Sequence, residues 1–286
     1  MVTTLQRPID QISPREWRSN YQQLFNWNDY QQRIFEWVRN GSGNAMVNAV
    51  AGSGKTASIT GIVAALPASA KIQIVAFNRH IVQKLKDDSR IPKGRVKVST
   101  AHSLGKGLLT AYFGGNLFDP EERKYFRLAK DAVQRLMSKR VDFDILNRQD
   151  PESAALQYPV PPPALIGGTH ESEHLAKEMR KLIHEVATFA QLTLTPLHLQ
   201  ALVEMVEHFA IEVPSSPGAL EWGIHAAIEV LQAGEKLAVE QQCIDFGDML
   251  WLPNRWRLPL PSKQFVIVDE AQGYQLNTGH FAASGF

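Results

Sequence analysis

The segment Ala49-Val-Ala-Gly-Ser-Gly-Lys-Thr56 brings together two glycines, a lysine and a hydroxyl. It follows the apolar stretch Ala45-Met-Val-Asn-Ala-Val50 and precedes Ala57-Ser-Ile-Thr-Gly-Ile-Val63, a pattern that predicts a strand, a glycine turn and a helix. Such a turn is a phosphate cradle. Gly52 and Gly54 let the backbone N–H groups of Ala49, Val50, Ala51 and Ser53 turn inward, and the helix N-terminus adds partial positive charge. Lys55 can reach the β- and γ-phosphates of a nucleotide, and Thr56 can ligate Mg²⁺. Ala49 stands where the first glycine of such loops is usual.

A second pair of residues completes this chemistry. Phe265-Val-Ile-Val268 ends in Asp269-Glu270, so an apolar strand delivers two carboxylates. One can hold the Mg²⁺ shell, and its neighbour can accept a proton from an attacking water. Ala271-Gln272 follows directly.

Several elements must position these groups. Trp27 to Val38 reads as a helix with Asn28 as N-cap and Ile34, Phe35 and Val38 on one face. Lys71 to Phe77 and Arg95 to Ser99 read as strands separated by a helix around Ile81 to Leu85. Residues 265–269 suit a central parallel strand buried on both faces. The long interval before it is helical in pattern over 121–138, 171–189, 197–211 and 220–239, broken by prolines at 158–163. This predicts an α/β fold: a parallel sheet with an inserted all-helical subdomain.

Composition bounds the classes available. The 286 residues are 44% hydrophobic and 21% charged, enough for one large or two ordinary globular domains. The N-terminus lacks the apolar core of a secretory signal and no run is long enough for a membrane span, so the expected setting is cytoplasmic with no membrane partner. Cys243 is the single cysteine, which excludes an internal disulfide and a cysteine zinc cluster. Net charge is +1, yet residues 71–97 carry eight Lys or Arg against Asp87 and Asp88, while 171–250 carry thirteen acids against four bases. A basic stretch downstream of a phosphate loop suits a nucleic-acid track, or a solvated face.

These segments, in this order, resemble the superfamily 1 DNA helicases of the UvrD, Rep and PcrA type. Residues 49–56 are similar to that family's phosphate loop, Asn28-Asp-Tyr-Gln31 to its Q motif, Ala76-Phe-Asn-Arg79 to motif Ia, Thr100-Ala-His-Ser103 to motif Ic and Asp269-Glu-Ala-Gln272 to motif II. Ile244 to Leu250 resembles a segment shortly before motif II. The resemblance implies a RecA-like P-loop NTPase fold and an ATP-dependent helicase or ATPase using ATP and Mg²⁺ on single-stranded DNA. It implies that Gln31 pairs with the adenine edge, Asp269 holds Mg²⁺ through water, Glu270 is the catalytic base and Gln272 senses the γ-phosphate. Phe77, Asn78, Thr100 and His102 would then line the single-strand track.

Other readings of the same residues stay open. Gln31 could be an ordinary exposed helix residue, with Gln32 a competitor for its role; Phe77 could fill core and His102 could cap a helix. The basic helix from Glu121 to Arg140 could touch DNA or face solvent. Asp245-Phe-Gly247 does not indicate a protein kinase, since no His-Arg-Asp loop accompanies it, and Asp245 and Asp248 read as helix-cap and surface residues. His170, His174 and His184 lack ligand spacing and read as an exposed helical face.

On the resemblance, residues 1–105 and 240–286 form the first RecA-like domain and 106–239 the helical insertion, with the second RecA-like domain absent. That domain would supply arginines to the γ-phosphate. Gly273 and the following residues depart from the family pattern, as a truncated or frame-shifted chain would. The expectation is therefore an ATP-binding part that is weakly active alone, with a missing second domain or a full-length homologue as partner. The rivals are an ATP- and single-strand-binding module or inactive remnant, and a P-loop ATPase or small-molecule kinase unrelated to DNA.

Overall fold

The computed structural model describes residues 14–50, 52–115, 119–138, 165 and 170–271. Ala51, Gln272 and the proline-rich break at 158–163 lie outside the described residues. The described residues divide into two compact units, one made of those from 14 to 104 and from 260 to 271, the other of those between 105 and 259.

In the first unit, α1 (Pro14–Leu24), α2 (Asp29–Asn40), α3 (Lys55–Ala65) and α4 (Arg79–Asp87) accompany β1 (Ile72–Val75), β2 (Val96–Ser99) and β3 (Phe265–Val268). The three strands form a parallel sheet in the order β2-β1-β3, with Val75 in register with Ser99 on one side and Val268 on the other. All four residues of β1 are buried. Ile72 and Ile74 share one face and Gln73 and Val75 the other, and both faces are covered, as a central parallel strand requires.

Two expectations about this sheet are corrected. Residues 44–50 are not a strand, and Met46, Val47 and Val50 are exposed. A short apolar run has no strand of its own without a hydrogen-bonding neighbour, and this run lies against none in the sheet. Likewise β3 is an edge strand among the described residues, with Val266 and Val268 each 47% exposed, and β1 takes the centre.

The α2 helix begins as expected. Asn28 accepts from the Gln31 amide while the Gln31 side chain accepts from the Asn28 amide, a reciprocal capping box. Phe35 on its inner face touches Gly61 of α3, where a Cβ would come within 2.3 Å of the ring. Only glycine permits that approach. Trp17, Tyr21, Phe25, Trp27 and Phe35 pack beside it as an aromatic cluster, and Trp17 donates to the Thr60 carbonyl at 3.4 Å, fixing α1 to α3. The buried Arg90 guanidinium lies 5.1 Å from the Trp17 ring and forks onto Asp88.

The second unit is helical. α5 (Ala101–Tyr112) leads from β2 into it, followed by α6 (Lys124–Ser138), α7 (His170–Thr193), α8 (Leu199–His208), α9 (Ala219–Gln241) and α10 (Asp248–Arg255). α6, α7 and α9 pack on one another around Met179, Leu182, Ala187, Ala227 and Leu231. The segment from 240 to 259 packs here and not with the sheet, because Ile244, Met249, Trp251 and Leu252 belong to this core. Among the described residues no helix is long and apolar enough to cross a membrane.

Asp248 is not a surface residue. It is fully buried at the N-terminus of α10, where it accepts from Lys124 Nζ at 2.6 Å, Tyr125 Oη at 2.7 Å and Gln191 Nε2 at 3.0 Å. The N-cap is Gly247; Asp245, two residues before it, accepts from the Asp248 amide at 2.8 Å and donates its own amide to Asp248 Oδ2 at 3.0 Å. His174 is exposed, but His184 is half-buried against Phe126, and burial pushes its imidazole down.

Candidate nucleotide and nucleic-acid site

The glycine turn is built by two left-handed residues. Gly52 has φ +76° and Gly54 φ +85°, values that disfavour any side chain, and the Ser53 amide closes the turn onto the Val50 carbonyl at 3.3 Å. Gly54 is the N-cap of α3, so the orphan amides of that helix face the turn. Ser53 Oγ is buried there with no hydrogen-bond partner among the described residues. A buried hydroxyl lacking a partner costs free energy, and an anion's oxygen would satisfy it.

Lys55 and Glu270 meet. Lys55 Nζ lies 2.7 Å from Glu270 Oε1, with both side chains about one-third exposed. The acidic pair reaches this point because Asp269 donates its amide to the Val75 carbonyl at 2.9 Å, which extends the β3 ladder by one residue before the chain turns. Glu270 then adopts φ +53°, a left-handed conformation rare for glutamate. Burial pushes the Asp269 carboxyl up, as does the adjacent Glu270, while Lys55 pulls it down.

A hydroxyl at 56 and a carboxylate at 269 are hard oxygen donors. They fit Mg²⁺, which keeps several waters and takes one or two protein oxygens plus phosphate. Among the described residues no cluster of three or more His, Cys, Asp or Glu could hold a metal by itself.

Gln31 is 3% exposed, so it is not a solvated helix residue. Its amide donates to Ser58 Oγ of α3 at 3.0 Å, whereas Gln32 Nε2 turns back to the Trp27 carbonyl at 3.1 Å. The sheet places Phe77, Thr100 and Asp269 at the carboxyl ends of β1, β2 and β3, one edge of the same sheet. In open α/β sheets, that edge is where ligands bind. Phe77 is half exposed and not core. Asn78 caps α4 by accepting from the Ile81 amide, and Thr100 is buried with its hydroxyl accepting from the Ser103 amide. Burial pushes the His102 imidazole down.

The basic run resolves into two sets. Lys71, Arg79, Lys84, Lys86, Lys93 and Lys97 are exposed. Arg90 is buried on Asp88, and Arg95 donates to the carbonyls of Val63 and Pro67, so both serve packing. Sequence reasoning missed Ser58, whose part depends on a partner far away in the chain, and Lys124, whose buried contact with Asp248 no local pattern announces.

No curated protein matches the chain. Its residues 34–280 match the model of a family described as AAA domain, a span that includes α3, the glycine turn and the acidic pair and begins after Gln31. The chain is a nucleotide-binding P-loop NTPase module and belongs to the AAA domain family.

Proposed function

We propose that this chain is the ATP-binding part of an ATP-dependent DNA helicase of the UvrD type, with a RecA-like sheet unit and an inserted helical subdomain. The observation that carries the reading is the 2.7 Å approach of Lys55 to Glu270, which joins the phosphate turn to the acidic pair. Lys55 and the amides of residues 49–54 bind the triphosphate, and Thr56 and Asp269 hold Mg²⁺. That ion, when bound, neutralises charge on the β- and γ-oxygens.

Glu270 takes the proton from a water attacking the γ-phosphorus; the bond to the β–γ bridging oxygen breaks and ADP leaves with its electron pair. Gln272 senses the γ-phosphate. Phe77 offers a ring for a base, with Asn78, Thr100 and His102 beside it and the exposed lysines along the backbone path. The family match and the placement of Phe77, Thr100 and Asp269 at one edge of the sheet support the reading.

The same groups support a second reading, an ATP- and single-strand-binding module without fast turnover. ATPase assays with and without single-stranded DNA, alongside filter binding at two salt concentrations, separate the two. DNA-stimulated turnover supports the helicase ATPase; salt-sensitive DNA binding without turnover supports the module; loss of both sinks the DNA reading.

A further inference from the structure

Gln31, Ser58 and Gly54 form a hydrogen-bonded relay that reaches the phosphate turn from behind. Gln31 Oε1 accepts from the Asn28 amide at 3.3 Å, so the side-chain amide is held by the cap of its own helix. Its Nε2 donates to Ser58 Oγ at 3.0 Å. Ser58 Oγ donates to the Gly54 carbonyl at 3.2 Å, and the Ser58 backbone amide donates to that same oxygen at 2.9 Å. Both lone pairs of the Gly54 carbonyl are thereby engaged.

A serine hydroxyl often bonds the carbonyl four residues earlier in a helix. Here a second, buried donor fixes which way that hydroxyl points, because an oxygen accepting from Gln31 directs its single proton toward Gly54. The consequence lies in the peptide plane. In a trans peptide the carbonyl of one residue and the N–H of the next point in opposite directions, so pinning the Gly54 oxygen aims the Lys55 N–H the other way. Gln31 also packs against Gly54 itself, since a Cβ there would lie 3.3 Å from Nε2.

We infer that Gln31 and Ser58 are positioning residues that preset the Gly54–Lys55 peptide for phosphate, so that Gln31 acts on the phosphate subsite whatever base the nucleotide carries. The inference rests on the nucleotide-binding reading above. A base reader affects ATP more than GTP. A positioning pair affects ATP, GTP and a bare triphosphate alike.

The test is calorimetric titration of ATP, GTP and inorganic tripolyphosphate, each with Mg²⁺, into the full chain and its Ser58→Ala, Ser58→Thr and Gln31→Ala variants. Loss of one net hydrogen bond predicts that Ser58→Ala and Gln31→Ala weaken all three ligands in parallel by roughly three- to tenfold. Ser58→Thr, which keeps the hydroxyl, restores binding. Unchanged affinity in Ser58→Ala, with or without a lower melting temperature, overturns the inference, as does a Gln31→Ala loss confined to ATP. A wild-type chain that binds none of the three overturns the nucleotide reading and this inference with it, whereas wild-type binding beside an unaltered Ser58→Ala removes the inference alone.

Discussion

Lys55 Nζ and Glu270 Oε1 stand 2.7 Å apart, so the lysine that would grip a γ-phosphate rests on the carboxylate that would take the water's proton. A triphosphate entering the turn competes with Glu270 for Lys55. The pair is partly exposed, and pairs of that kind contribute at most about 1 kcal/mol.

Glu270→Gln is therefore predicted to separate binding from hydrolysis. Removing the competing charge leaves ATP affinity unchanged or raises it up to about fivefold. Losing the base lowers single-turnover hydrolysis by roughly 10²- to 10⁴-fold. Weaker ATP binding in this variant would count against the competition.

Gly54→Ala is predicted to weaken nucleotide binding by roughly five- to thirtyfold. A left-handed φ of +85° costs an L-residue about 1 to 2 kcal/mol, and the new Cβ would press on Gln31. Fluorescent-ATP titration and thermal unfolding check the two effects separately. Full retention of both would show that the turn relaxes without cost.

Lys124→Met is predicted to destabilise the helical unit strongly, by about 3 to 5 kcal/mol, because Asp248 would keep a fully buried charge with neutral donors alone, from Tyr125, Gln191 and the Asp245 amide. Pairing it with Asp248→Leu should recover part of the loss, since no charge is then stranded. Urea unfolding of the single and double variants measures this, and additive losses would contradict it.

Asp245 carries a pH signature. Burial, reinforced by the charge of Asp248, raises its carboxyl from 3.8 to about 7, against the pull of Lys124. Between those values the folded chain holds a proton that the unfolded chain has released, so this group's contribution to stability is present below 3.8 and is lost as pH rises through about 7. Asp245→Asn should thus be more stable than wild type at pH 8, with the difference shrinking toward pH 5. Melting temperatures at the two pH values decide it; an equal offset at both would contradict the assignment.

How much of this was legible in the sequence follows from the range of the interactions. Asn28 and Gln31 are three residues apart, so their capping box can be read locally, and the turn at 52–54 is dictated by glycine itself. β1 and β2 sit inside the expected runs because their apolar residues have few alternatives. Strand pairing is non-local, and that is where expectation and fold differ: residues 45–50 have a strand's composition but no ladder, and β1, not β3, holds the central place. Asp248 looked like a surface cap because the lysine that justifies burying it lies far back at position 124. Phe77 ends a strand run in either reading, and only the fold shows its ring half exposed.

The most direct test of the central claim is ATP titration with and without Mg²⁺ into wild type and Asp269→Asn, since the claim is that the glycine turn and the acidic pair share one Mg²⁺-bound triphosphate. The account predicts that Mg²⁺ strengthens ATP binding by wild type and that Asp269→Asn loses most of this gain while keeping its Mg²⁺-free affinity. A wild type indifferent to ATP, or an Mg²⁺ gain that survives intact in Asp269→Asn, would contradict it.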